Sequence, residues 1–458
     1  MKSRILHIKN SCLGFVSLAL VTGFYSCEKY IAIDTPPNAV GSDNAFTDSA
    51  AATAVVMGIY SGIASGNESV VLSSIRYGAM SADEGYYLTN TSFDNFKNNV
   101  LAASNDALIQ YSNLYRRIGR TNFAIEGLTA TTSLSATLKN QLLGEAKFWR
   151  AWLYFQLVNY FGKTPLVTTT DALRTSQLPR SEVADVYKQI VADLTDAKQL
   201  LGTAYPSLER ARINRYVTSA FLARVYLYQS NWAGAEAEAT EVINSGVYSL
   251  VTDLDKVFLM NSNETIWQIS LAGITTPATI MGSEFLPSAT TPSFVLYDTL
   301  ANTFEANDQR KVYWTKSMTY AGKEYWYPYK YKLRNATAGN EYPVMIRLAE
   351  MYLTRAEARA NQQKVEDGVK DINEVRNRAQ ILPLPLTLTK DQLLAAVEHE
   401  KWVELFTEAD RWFNLKRLNR ATAVLSLIKP AWKPFQQLYP IPSQELNANP
   451  NLEDNPEY

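Results

Sequence analysis

Cysteine and histidine are almost missing from this chain. Its 458 residues hold two of each, Cys12 and Cys27, His7 and His399. With residues 1–26 removed and Cys27 acylated, as the N-terminus suggests, no thiol and a single histidine, His399, would remain, which argues against a disulfide framework, a cysteine nucleophile, a zinc site built on Cys and His, and a serine–histidine triad. Long apolar runs are scarce too. The stretch from Cys12 to Phe24 falls short of the roughly 20 residues a bilayer-crossing helix requires, and no other run comes near that length. Charge is balanced, with 44 basic and 45 acidic side chains and a net of −1. No clustered basic face is evident, so nucleic acid is not an expected partner. Aromatic residues are plentiful instead: 27 Tyr, 17 Phe and 9 Trp make 12% of the chain, many of them outside the helical stretches.

The N-terminus carries an address. A basic start (Lys2, Arg4, Lys9) leads into the apolar run, then Tyr25-Ser26 and Cys27, after which the sequence turns polar at once. This order reads as a signal peptide whose cleavage point coincides with a cysteine. It resembles a bacterial lipoprotein precursor, with Cys27 as the acylated residue. Residues 1–26 are expected to be removed, 27–45 to form a flexible tether, and 46–458 to form one domain.

Within that domain helical spacing dominates, and a mostly α fold is expected. Asp48–Tyr60 is Ala-rich behind a capping Thr47 or Asp48. Asn105–Leu128, which Gly119 is expected to break, and Leu138–Tyr160 form one helix pair. Ser181–Leu201 is amphipathic, with Val183, Val186, Ile190, Val191 and Leu194 on one side. Leu222-Ala223, Tyr226 and Ala235 follow tetratricopeptide spacing around a turn at Asn231-Trp232, and Met351–Ala379 is a looser copy with Ala356 and Gly368 in the small positions. The expected scaffold is three to four stacked helical hairpins. Residues 246–342, rich in Thr, Gly, Pro and aromatics, read as an irregular, loop-rich insertion with short strands such as Thr265–Ile269. Loops on a rigid scaffold are where binding usually resides.

Several ordered blocks resemble one family. Cys27-Glu28-Lys29-Tyr30 with Asp34 and Pro36-Pro37 opens the series. Glu145-Ala146-Lys147-Phe148-Trp149-Arg150-Ala151-Trp152-Leu153-Tyr154-Phe155-Gln156-Leu157, followed by Tyr160-Phe161-Gly162, continues it. Arg347-Leu348-Ala349-Glu350, Ile372-Asn373-Glu374-Val375-Arg376-Asn377-Arg378-Ala379, Arg411-Trp412-Phe413-Asn414-Leu415-Lys416-Arg417 and Tyr439-Pro440-Ile441-Pro442 complete it. The chain is similar to SusD/RagB-type lipoproteins, surface nutrient-binding subunits of Bacteroidetes uptake systems. The resemblance implies an outer-membrane, lipid-anchored protein facing outward. It would bind a glycan, most readily an oligosaccharide, without cleaving it, and would deliver it to a SusC-like TonB-dependent transporter. No cofactor or metal is implied. A peptide ligand within the same uptake class is the alternative, and a helical glycoside hydrolase is a more distant one, for which Asp83-Glu84 is the one acidic pair beside a candidate aromatic loop.

Sugar rings stack their C–H faces on aromatic side chains and place hydroxyls against polar ones. Two segments supply both. The first holds Asp83, Tyr86, Tyr87, Asn90 and Phe93. The second lies in the insertion, with Phe285, Tyr313-Trp314, Tyr320 and Tyr325-Trp326-Tyr327. Asp83, Tyr86, Tyr87, Asn90, Phe93, Phe285, Trp314, Tyr325 and Trp326 are the candidate ligand contacts. Tyr329-Lys330-Tyr331 is read as structural, as are Arg411 and Arg417 beside Glu404 and Asp410. Gly162-Lys163-Thr164 lacks the upstream glycine of a phosphate loop, and His399-Glu400 lacks the second histidine of a zinc-protease helix, since Val403 stands there.

Overall fold

The computed structural model describes residues 44–64, 69–104, 108–270, 280–288, 290–334 and 340–458. Its main helices are α1 (Ser49–Ala64), α2 (Val70–Ser81), α3 (Leu108–Ala130), α4 (Ala136–Phe161), α5 (Val183–Leu200), α6 (Arg215–Tyr228), α7 (Trp232–Ile243), α8 (Leu348–Asn361), α9 (Val365–Arg378), α10 (Lys390–Leu405) and α11 (Arg411–Arg417). Six short strands complete the frame: β1 (Gly85–Tyr87), β2 (Thr265–Gln268), β3 (Phe294–Leu296), β4 (Thr315–Tyr320), β5 (Lys323–Pro328) and β6 (Val344–Arg347). They pair only in twos, β1 with β3, β2 with β6 and β4 with β5, all antiparallel.

Helices adjacent in sequence pack as hairpins, and each hairpin leans on the next. Side-chain caps start them. Ser135 accepts from the Leu138 N–H, Asn214 from Val217, Asn231 from Gly234, and Thr389 forms a full capping box with Gln392. α4 is apolar nearly all round, so it runs through the middle. Trp149 and Trp152 from α4 meet Trp267 of β2 edge to face at 5.2 and 6.3 Å, and Phe148 adds a fourth ring. α5 shows one apolar stripe, and its buried Val186, Ile190, Leu194 and Ala197 face α4. Arg150 crosses that interface to Asp193 with two bonds of 2.8 and 2.7 Å.

The repeat signature holds. Ala235 of α7 and Ala358 of α8 are both fully buried in one small cluster with Leu227, so the two hairpins approach closely. Gly368 is small for a reason: a Cβ there would lie 2.7 Å from the Leu393 side chain and 3.0 Å from the Ala356 carbonyl. One expectation needs correction and one helix was missed. Gly119 does not break α3, because a single glycine costs about 1 kcal/mol and the packed helix carries it. α2, unread in the sequence, is buried along nearly its whole length, which hides the amphipathic period.

Besides the ring contacts of Trp267, charge joins the insertion to the hairpins. Arg310, fully buried, reaches Glu400 at 2.5 Å and Glu404 at 2.8 Å, both on α10. Arg347 of β6 bonds Glu264 at 2.8 Å, Glu408 at 2.8 Å and also Glu404. Arg378 of α9 completes the grip on Glu404, and Lys330 bonds Glu408 at 2.5 Å. Burial alone would raise the Glu404 carboxyl, but the guanidiniums of Arg378, Arg347 and Arg310 outweigh it and hold it well below the usual range. Arg411 and Arg417 are structural, with partners other than those their sequence neighbours suggest: Arg411 pairs with Asp83 and Arg417 with Glu357.

Replacing Glu404 by Gln leaves three buried guanidiniums short of an anion. The expected loss is about 3–5 kcal/mol, read as a lowered Tm at pH 7, because a broken buried pair costs more than an absent one.

Candidate functional site

The two aromatic segments singled out by sequence meet in space. β1 lies antiparallel to β3 with Tyr86 opposite Val295, and β5 lies beside β3. Gly85 permits the first pairing, since a Cβ would fall 2.4 Å from the Phe294 ring. β4 and β5 turn over Ala321 and Gly322, whose φ angles of 49° and 80° are those of a mirror-image hairpin turn that suits twisted strands. Strand alternation then sorts the side chains. Lys316, Met318, Tyr320, Lys323, Tyr325 and Tyr327 project to one side, and Trp326 to the other.

The first side is a tyrosine face. Tyr86 packs against Tyr297 with centroids 5.0 Å apart, and its phenol lies near Lys323, Tyr325 and Asp298. Tyr327 meets Tyr329 edge-on at 6.4 Å. Tyr86, Tyr297, Tyr320, Tyr325, Tyr327 and Tyr329 are all half-buried. Burial, the largest influence, holds the Tyr86 phenol above its ordinary value, so it stays protonated and able to donate. Ammonium groups sit over these rings: Lys97 is 4.0 Å from the Tyr86 centroid, Lys323 5.0 Å from Tyr325, and Lys316 3.9 Å from Tyr329. One carboxylate, the exposed Asp298, meets Lys323 at 3.4 Å.

Other candidates fall elsewhere. Trp314 is fully buried and donates its indole N–H to the Leu254 carbonyl at 3.0 Å; Lys330, Arg347 and Arg378 surround its ring. It presents no face to a ligand. Phe285 is buried edge-to-face against Phe294 at 5.1 Å, and Asp83 is buried in a two-bond pair with Arg411 at 2.8 and 2.9 Å. These three are packing and pairing residues. Tyr87, Phe93 and Trp326 are half-buried but rest against the core. Phe93 stacks on Tyr87 at 4.9 Å beneath Arg76, which Glu284 holds at 2.7 and 2.6 Å. Asn90 is exposed, its side-chain oxygen capping the Thr91–Phe93 turn through the Ser92 N–H at 3.1 Å. Cys27 lies outside the described residues. Sequence reasoning missed Tyr297 and the three lysines, and set Tyr329 aside with its buried neighbours Lys330 and Tyr331. The alternating Lys323, Tyr325, Tyr327, Tyr329 was the available signal.

A separate cavity of about 390 Å³ is lined by Trp402, Arg411, Glu398, His399, Arg420 and Val424. Arg411 lies over the Trp402 ring at 4.5 Å. Next to it, Glu305, His399 and Glu400 could converge on a cation, yet Arg376 holds Glu305 at 2.6 Å and Arg310 holds Glu400 at 2.5 Å. Those arginines already neutralise both carboxylates. Asp83 forms part of that cavity's wall while bonded to Arg411, and Glu84 is buried behind it and is not among the lining residues, so the two carboxylates do not face each other across a cleft as a hydrolytic pair does.

Helical hairpins carrying a strand-borne aromatic face define a helical-repeat scaffold with a surface suited to flat ligands. A family model described as "Starch-binding associating with outer membrane" matches residues 40–227, and one described as "SusD family" matches 295–458. The chain belongs to the SusD/RagB-like proteins. It is 22% identical to SusD-like protein P25 of Formosa agariphila, across 95% of this chain and 97% of that one. A SusD superfamily protein of Bacteroides vulgatus superposes with a TM-score of 0.80 at 20% identity, over 90% of this chain and 100% of its own. A structure named as a laminarin-binding SusD-like protein gives a TM-score of 0.75 at 21% identity, over 90% and 99%. Among the described residues no helix is long and apolar enough to cross a membrane.

Glu84, between the Asp83 pair and the tyrosine face, gives a pH test. Burial first, then the Asp83 charge, push its carboxyl up to about 8, and its Oε1 has no hydrogen-bond partner. The folded chain keeps a proton that the unfolded chain releases near pH 4.5. Stability is therefore lost as pH rises from about 4.5 to about 8. Glu84→Gln should raise Tm at pH 8 and leave it nearly unchanged at pH 4, measured by thermal denaturation at both.

Proposed function

We propose that this protein binds a glycan at the cell surface without cleaving it and passes it to a TonB-dependent outer-membrane channel. The tyrosine face carries this reading. Several half-exposed phenols on one strand-built surface offer stacking area and hydroxyl partners together, and each ring contributes about 0.5–1.5 kcal/mol beyond buried area. The laminarin-binding name of a structural neighbour and the starch-binding description of the matched family support the same ligand class. The inward burial of Asp83 and Glu84 favours capture over hydrolysis.

Acylation at Cys27 would hold the domain at the outer leaflet, facing outward, on a tether of about 18 residues. Several acyl chains, at about 0.8 kcal/mol per buried methylene, make such attachment effectively permanent. A tethered binder beside a channel mouth works at high local concentration, so modest affinity suffices.

Three measurements test this. The chain from residue 28 onward, titrated with a panel of polysaccharides and peptides, should bind glycans saturably without releasing new reducing ends; liberated oligosaccharides would overturn it. Tyr86→Ala and Tyr325→Ala should each lower affinity about tenfold with Tm nearly constant, whereas Trp326→Ala, packed against the core, should cost about 1–3 kcal/mol of stability. Cys27→Ala should abolish fatty-acid labelling and release the protein from membranes on fractionation.

A further inference from the structure

The lysines over the tyrosine face narrow the ligand class. We infer that the glycan bound here is an acidic one, bearing carboxylate or sulfate groups, and that Lys97, Lys316 and Lys323 receive its charges. The inference rests on the glycan reading above and goes one step further, from stacking to charge selection.

Three observations carry it. Three ammoniums lie close to rings of the face: Lys97 at 4.0 Å from Tyr86, Lys323 at 5.0 Å from Tyr325, Lys316 at 3.9 Å from Tyr329. A ring with an ammonium over it cannot give that side to the C–H face of a sugar while the lysine stays. It holds the cation in place, partly stripped of water, where an anion can reach it. Second, the charges here do not cancel. Lys323 shares Asp298 and Lys332 pairs with Asp255, but Lys97 and Lys316 have no carboxylate partner among the described residues. The buried arginines Arg150, Arg224, Arg355, Arg411 and Arg417, by contrast, each hold a carboxylate at bonding distance. Third, the whole chain is nearly neutral at −1, so this surplus is local and not a reflection of a basic protein. An anionic chain laid across these ammoniums meets a local surplus of positive charge.

The arrangement sets the geometry of recognition. Lys316 faces Tyr327 across the hairpin, and Lys323 lies toward the turn. Along β5 the span from Lys323 to Tyr327 is about 13 Å at strand rise. A polymer with acid groups recurring along its length can meet both ends of that span, and a single-charge ligand cannot. Exposed charges of this kind are screened within about 8 Å at physiological salt, so the preference is salt-dependent.

The test uses matched pairs that differ only in charge: polygalacturonate against its fully methyl-esterified form, and dextran sulfate against dextran, with polyglutamate as a non-glycan polyanion. Affinity is measured by calorimetry at 0.05 and 0.5 M NaCl. The charged member of at least one pair should bind at least tenfold more tightly than its neutral twin, and the gap should shrink at high salt. The first pair tests carboxylate and the second sulfate. The double variant Lys97→Gln, Lys316→Gln should lose at least tenfold of the affinity for the charged glycan and flatten its salt dependence, while Lys163→Gln, a remote exposed lysine paired with Glu182, should change neither. Equal binding within both pairs overturns charge selection but leaves glycan capture standing, provided Tyr86→Ala still weakens it. Polyglutamate binding as tightly as the charged glycans overturns it too, because the face is then a general polyanion surface. No binding of any glycan, charged or neutral, removes both readings.

Discussion

The whole architecture hangs on the carboxylate of Glu404. It sits on α10 and accepts from arginines that belong to three separate parts of the chain, Arg310 in the insertion, Arg347 on β6 and Arg378 on α9. Taking four such ions out of water is expensive, and their mutual attraction repays that only when every partner is in place. Here they are, because Glu400, Glu408, Glu264 and Asp308 supply the remaining charges around the same arginines. The consequence is specificity of docking. An insertion of short strands has little core of its own, and two-stranded pairs are marginal in isolation. Anchored through Arg310 and Lys330, it gains one allowed position on the helical scaffold.

That constraint explains which aromatic residues are free. Trp314 sits just inside the anchor, ringed by Lys330, Arg347 and Arg378, and its task is to fill the space beside those cations. One strand later the hairpin leaves the anchor, and alternation takes over. Odd-numbered positions of β5 turn outward as Tyr325 and Tyr327, while Trp326 turns back to the core. The same residue types therefore divide by position into filler and surface, and no property of the individual side chain foretells which.

This is also where the sequence is legible and where it stops. The hairpins show through because helix packing leaves a local record: a turn at Asn231-Trp232, small residues at Ala235, Ala356 and Gly368, an apolar stripe on α5. α2 has a cap at Ser69 but no apolar stripe, being buried on nearly every side. The aromatic segments around Tyr86 and Tyr325 were recognisable as a pair of candidate regions, and the fold brings them together. Their inner members could not be told apart in advance. Whether Asp83 meets solvent depends on Arg411, some 330 residues later in the chain, and whether Phe285 does depends on Phe294 and the pairing of β3 with β1. Long-range partners of that kind have no sequence period to betray them.

The division of labour between buried and exposed cations follows from the same physics. Arginine's planar fork supplies most of the directed bonds that Glu404 and Glu408 need in the interior, where the buried Lys330 adds one more to Glu408; Lys97, Lys316 and Lys323, mobile point charges on flexible stems, lie over the outer rings. An interior arginine without its carboxylate would be intolerable, so those positions are closed to change. An exterior lysine resting on a phenol is weakly held, and gives way or takes a new partner at little cost. The scaffold thus keeps its rigid electrostatics where the fold is specified and its adjustable electrostatics where a ligand would arrive. Rings fixed from behind by the anchored hairpin lose little further freedom on binding, and such preorganisation is a general source of affinity at an open surface.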